Sequence, residues 1–103
     1  MDAQIKKGIL EIIILKELET HDLYGYEIVK KISQILPDTL ESTIYAVLRR
    51  LKNDGLAQIY YGDESDGPTR KYYTLTKDGI EKLRLQMVSI KETFEILRSL
   101  EII

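Results

Sequence analysis

The stretch ESTIYAVLRRLKNDG, Glu41 to Gly55, carries the side chains whose types and spacing best fit a chemical task. Ile44, Val47, Leu48 and Leu51 recur at i, i+3, i+4 and i+7, the spacing of one helical face. The opposite face holds Ser42, Ala46, Arg49 and Asn53. Thr43 and Arg50 flank it on one side, Tyr45 and Lys52 on the other. A helix laid against nucleic acid needs that mixture. It wants small residues at the close approach, Arg for guanine, an amide for adenine, and Tyr and Lys for phosphate. The competing reading is an ordinary amphipathic helix with a solvated outer face. Taken alone the stretch favours that plainer reading, and its neighbours decide the matter.

Other chemistries lack their parts. There is no Cys and a single His, so thiolate chemistry and disulfides are excluded and a metal site is not expected. No glycine-rich phosphate loop or nucleophile–base motif is present, and neither an enzyme nor a bound cofactor is expected. Asp63, Glu64 and Asp66 lack an EF-hand pattern and read as a solvated loop tip that phosphate would repel. His21 reads as a surface turn residue.

The elements that must position the helix follow from periodicity. Residues 4–19, QIKKGILEIIILKELE, predict a first helix with Ile5, Ile9, Ile12 or Ile13, and Leu18 as its core stripe. Leu10, Ile14 and Leu15 widen that stripe beyond one packing face, which implies burial on two sides, by the domain core and by a second chain. A strand is the alternative for its β-branched run; length and polar flanks favour helix. Asp22 is a candidate cap for a second helix over Tyr24 to Leu36, and Gly25 in its first turn suggests a close neighbour. Pro37-Asp38 ends that helix. The short turn to Ser42 makes a helix-turn-helix unit. Gly55 suits a left-handed helix end.

Leu56 to Tyr61 and Arg70 to Leu75 read as two strands of a hairpin around the turn-rich GDESDGPT, with Tyr60, Tyr61, Tyr72 and Tyr73 alternating across it. Thr76 is an N-cap for a helix running to the chain end. On it Ile80, Leu83, Met87, Ile90, Phe94 and Leu97 form a heptad seam that calls for a partner chain.

Helix, helix-turn-helix and hairpin in that order spell a winged helix-turn-helix. The fold class is α+β, mainly α with a small β-hairpin: a DNA-binding unit over residues 1–75 and a dimerisation helix over 76–103, in one compact domain. The chain has 103 residues and a net charge of -2, acidic for a DNA binder, but the cations cluster on the Glu41 helix and at Arg70-Lys71. The apolar run Ile9 to Leu15 is too short to span a bilayer and no cleavable leader is apparent, so a cytoplasmic protein without membrane contact is expected.

The residues also resemble the PadR family of bacterial transcriptional regulators, through YGYEI at Tyr24 to Ile28, STIYAVLRRLKNDGL at Ser42 to Leu56 and GPTRKYYTLTKDG at Gly67 to Gly79. With the helical ends, the resemblance covers essentially the whole chain, in the manner of the short subfamily with one C-terminal helix. It implies a homodimeric repressor on a pseudo-palindromic operator. Ser42, Thr43, Tyr45 and Arg49 fall where the family contacts DNA, and Arg70 and Lys71 fall at the wing. Arg50 and Lys52 join them as candidate DNA contacts.

The dimer interface is expected at Ile5, Ile9, Ile12, Ile13, Leu83, Met87, Ile90, Phe94 and Leu97, and any small apolar or aromatic inducer is expected within that interface. Two departures stand out. Ala46 replaces a common Pro, which a helix tolerates, and the absence of Trp argues against stacking a large flat drug. The reading from another class is a winged-helix protein-interaction module, antirepressor-like, without DNA contact; salt-dependent binding to duplex DNA separates the two.

Overall fold

The computed structural model describes residues 1–63 and 69–103. The acidic tip expected at Asp63, Glu64 and Asp66 falls outside the described side chains. Helix α1 (Ala3–Thr20) starts where the Asp2 carboxylate accepts the Gln4 and Ile5 N–H groups at 2.9 and 3.1 Å. The isoleucine run is helical, not extended. Its buried residues are Leu10, Ile14, Leu15 and Leu18. Of the expected stripe only Leu18 is buried: Ile5 is 61% exposed, and Ile9, Ile12 and Ile13 only border the core. A helix with two apolar faces gives no sequence signal for which one turns inward.

After α1 the chain makes a two-residue strand, β1 (Leu23–Tyr24), and enters α2 (Gly25–Ile35). Asp22 does not cap α2. The Glu27 carboxylate reaches back to the Tyr24 N–H at 3.1 Å, the return half of a capping box. Asp22 instead accepts a 2.8 Å hydrogen bond from the Tyr60 hydroxyl. Five residues, from Leu36 to Leu40, lead into α3 (Glu41–Asn53), which buries the expected Ile44, Val47, Leu48 and Leu51. Its end is a full Schellman motif: Gly55 N–H meets the Lys52 carbonyl at 3.1 Å and Leu56 N–H the Leu51 carbonyl at 2.9 Å, with Gly55 at φ +75°.

Strands β2 (Ala57–Asp63) and β3 (Thr69–Leu75) pair antiparallel with Ile59 opposite Tyr73 and Tyr61 opposite Lys71. The sheet has three strands, in the order β1-β3-β2, where the sequence suggested two. A two-residue strand is too short to show a period of two. Tyr73 is buried, whereas Tyr61, on the same face of the sheet, is exposed.

Helix α4 (Lys77–Ser99) is capped by Thr76, whose hydroxyl accepts the Gly79 N–H at 3.0 Å and donates to the Gly55 carbonyl at 2.7 Å. The helix stops at Ser99 rather than running to the chain end; Glu101 takes a left-handed φ of 59° and the Ile102 N–H closes on the Leu97 carbonyl. Leu83 lies 1% exposed in the protomer's own core, so its assignment to the dimer interface is corrected. Beyond it α4 runs out from the domain, and the molecule measures 54 × 30 × 21 Å.

Candidate nucleic-acid interface

With one face of α3 fixed in the core, the other is necessarily presented outward. Ser42, Thr43, Ala46, Arg49, Lys52 and Asn53 are all exposed there. Tyr45 is half-buried because α2 runs close by: an ideal Cβ on Gly25 would lie 2.8 Å from the Tyr45 ring. The glycine is the missing side chain that lets the ring in. Burial, and then the nearby Glu41 carboxylate, hold the Tyr45 phenol above its ordinary pKa, so it stays a hydrogen-bond donor at neutral pH.

Strand β3 runs beside this face. Tyr45, Arg49 and Lys52 from α3 meet Lys71, Ile59 and Tyr73 from the sheet around a cleft of about 400 Å³. A second hollow of about 330 Å³ continues it between Tyr24, Tyr26, Tyr45, Thr69, Arg70 and Lys71. Helix and wing thus bring Arg49, Lys52 and Lys71 around one cleft, and Arg70 borders the hollow that adjoins it.

Arg70 is more constrained than an exposed lysine. Its guanidinium lies 4.4 Å from the centre of the Tyr24 ring, and its Nε is buried without a hydrogen-bond partner among the described residues. Tyr24 meets Tyr72 edge-on at 5.7 Å, and Tyr72 stacks on Tyr60 at 5.3 Å. The tyrosines therefore act as a rigid floor under the Arg70 charge. Lys71, on the other face of β3, is exposed and stands 5.7 Å from the Tyr73 ring.

Arg50 points the other way. Its Nη2 donates to Glu11 of α1 at 2.6 Å, on the flank of α3 away from the wing. That flank and the α1 start enclose a separate hollow of about 420 Å³ with Lys6, Lys7, Thr43 and Ala46 on its walls. Lys6, Lys7, Tyr24 and Tyr26 border the candidate surface without having been singled out as contacts. YGYEI was the one available signal for the two tyrosines; nothing local in the sequence places the α1 lysines beside α3. Among the described residues no cluster of His, Asp or Glu could hold a metal ion.

The model of the transcriptional regulator PadR-like family matches residues 14–85. The chain belongs to the PadR-like family. A PadR-like transcriptional regulator from Bacillus cereus is 31% identical, with a TM-score of 0.87 over 95% of this chain and 96% of that one. A PadR family transcription regulator from Clostridium difficile is also 31% identical, with a TM-score of 0.82 over 89% of this chain and 97% of that one. An uncharacterised protein of Lysinibacillus sphaericus is 37% identical over 100 residues, covering 91% of this chain and 92% of its own.

In this PadR-like chain the match begins inside α1 and ends inside α4, so it takes in the whole helix-turn-helix and wing. Outside it, α4 carries an apolar face that the described residues cover only in part. Met87 and Phe94 are exposed, while Ile90 and Leu97 are half-buried. Ile5 on α1 is likewise open. No helix is long and apolar enough to cross a membrane among the described residues.

Proposed function

We propose that this PadR-like protein is a homodimeric, sequence-specific DNA-binding repressor. Helix α3 enters the major groove and the base of the wing holds the adjoining backbone. The observation that carries the reading is the convergence of Arg49 and Lys52 on α3 with Lys71 on β3 around one cleft. Arg49, mid-face and exposed, reads a base edge, guanine by the fit of its donor pair; Lys71 and Arg70 hold phosphates. Ser42, Thr43 and Ala46 let the helix approach closely. Two copies joined through α1 and α4 present two such helices to a pseudo-palindromic operator, with half-sites about one helical turn apart or a multiple of it.

The exposed Ile5, Met87 and Phe94 support the dimer, since apolar side chains open to solvent on a chain of 103 residues leave area for a partner to bury. An inducer, where one acts, is a compact apolar molecule seated between protomers near Ile9, Ile12, Ile13, Met87, Ile90 and Phe94. A hollow of about 210 Å³ at Gly8, Ile12 and Ile90 supports that placement. Such a ligand weakens DNA binding only by its differential affinity for the two spacings of the recognition helices.

The test is operator selection from a genomic fragment pool, followed by titration of wild type, Arg49→Ala and Lys71→Ala at several salt concentrations. Arg49→Ala costs about 1–3 kcal/mol on operator and relaxes one base position per half-site. Lys71→Ala weakens operator and random duplex alike and flattens the salt slope. Equal losses on operator and random DNA for Arg49→Ala refute the assignment of roles. No salt-dependent binding by wild type refutes DNA recognition and leaves a protein-interaction module.

A further inference from the structure

Glu11 stands where α1, α3 and α4 meet. One carboxylate oxygen accepts from Arg50 Nη2 of α3 at 2.6 Å, and the other accepts from Gln86 Nε2 of α4 at 3.2 Å. The Glu11 side chain is 19% exposed and that of Arg50 52%, so the acid is largely enclosed while the cation it holds still borders solvent. The carbonyl oxygen of the Gln86 side chain is buried without a hydrogen-bond partner among the described residues.

A cation on the recognition helix is therefore already matched to a carboxylate before any phosphate arrives. DNA affinity at ordinary salt comes largely from counterions released when unpaired cations neutralise phosphates. A guanidinium paired at 2.6 Å with its own carboxylate brings little of that gain, because the pair as a whole is neutral. Of the cations that α3 carries, Arg49 and Lys52 face the wing-side cleft, whereas Arg50 is held on the opposite flank beside Lys6 and Lys7.

We propose that Glu11 is a positioning residue for DNA binding: it withholds Arg50 from the phosphates, and Gln86 fixes the carboxylate that does so. Two side-chain hydrogen bonds then run from α4 through α1 to α3. A shift of α4 that draws Gln86 away loosens Glu11 and frees one cation on each recognition helix. This inference rests on the DNA-binding reading and concerns only how strongly the surface is charged.

The experiment measures affinity for a random duplex against salt for wild type, Glu11→Gln, Arg50→Ala, the double variant and Gln86→Leu. Glu11→Gln keeps the shape and removes the charge. It binds more tightly at low salt and steepens the log–log slope by about 0.9 per chain, roughly a further threefold loss per chain between 50 and 200 mM salt. Arg50→Ala alone leaves the wild-type slope unchanged, and in its background Glu11→Gln has no effect on the slope. Gln86→Leu steepens the slope in the same direction as Glu11→Gln.

An unchanged slope in Glu11→Gln, or a slope flattened by Arg50→Ala alone, overturns the proposal. An unchanged slope in Gln86→Leu removes α4 from it. If Glu11→Gln does not fold, the slope of Arg50→Ala decides by itself. A wild type without any salt-dependent binding fails the DNA-binding reading instead, so the two failures are told apart.

Discussion

Replacing Gly79 by alanine reverses the sign that helix propensity alone assigns. Gly79 lies in the first turn of α4, and there alanine is intrinsically better than glycine by about 1 kcal/mol. The backbone around it leaves no room. An ideal Cβ would overlap the Leu56 carbonyl oxygen and lie 3.1 Å from its carbon, with Leu75 Cδ2 at 3.0 Å. A flexible side chain could turn aside; this carbonyl cannot, because it accepts the Thr76 N–H at 3.1 Å. Thr76 in turn caps α4 and ties it to the Gly55 carbonyl.

Making space means lifting the α4 start off the α3–β2 junction. Overpacking of this kind costs about 1–3 kcal/mol, and loss of the associated hydrogen bonds adds roughly 1 kcal/mol. Set against the propensity gain, the expected net change is a destabilisation of about 1–3 kcal/mol. Gly8 is the internal control. It lies on the exposed side of α1 with nothing within 4 Å of an ideal Cβ, so Gly8→Ala stabilises by about 0.5–1 kcal/mol. Urea unfolding of both variants and wild type at one fixed protein concentration, followed by far-ultraviolet circular dichroism, measures the difference. A Gly79→Ala protein as stable as wild type or more so refutes the close-approach argument.

Phe94→Glu on the open face of α4 converts a dimer into single chains that keep wild-type helicity, whereas Leu83→Glu, buried in the protomer, unfolds the chain; sedimentation at micromolar concentration with circular dichroism separates them. A wild type that sediments as a single chain there sinks the dimer. The tyrosines make stability fall at alkaline pH. Tyr60 is raised above 10.0 by its hydrogen bond to Asp22, and Tyr45 by burial. For a group whose folded pKa is raised, the stabilisation is complete below the unfolded value near 10 and is lost as pH rises through the folded one. Denaturant midpoints therefore drop above pH 10, and Tyr60→Phe shows a shallower drop; a midpoint flat to pH 11 counts against both shifts.

Features with a local signal were legible along the chain. The i, i+3, i+4, i+7 spacing from Ile44 to Leu51 put the right four residues of α3 in the core, and by exclusion named its outer face. Gly55 announced a left-handed helix end and Thr76 a cap, because each depends on residues a few positions away; Gly25 announced a close neighbour, but only the fold named it as Tyr45 of the next helix. Tertiary structure decided whatever depends on distant residues. Two apolar faces on α1 were visible, but only packing against α4, β3 and α2 selected Leu10, Ile14 and Leu15 over Ile5 and Ile9. The heptad seam of α4 was read as one face, yet Leu83 belongs to the protomer because the helix starts against the domain before leaving it. Strand β1 exists only because β3 is there to pair with it. Asp22 was a cap by sequence and is a partner of Tyr60 in space, 38 positions away. Arg50, one position from Arg49, was legible as a cation; only the fold, by bringing Glu11 to within 2.6 Å, assigned it an acid instead of open solvent.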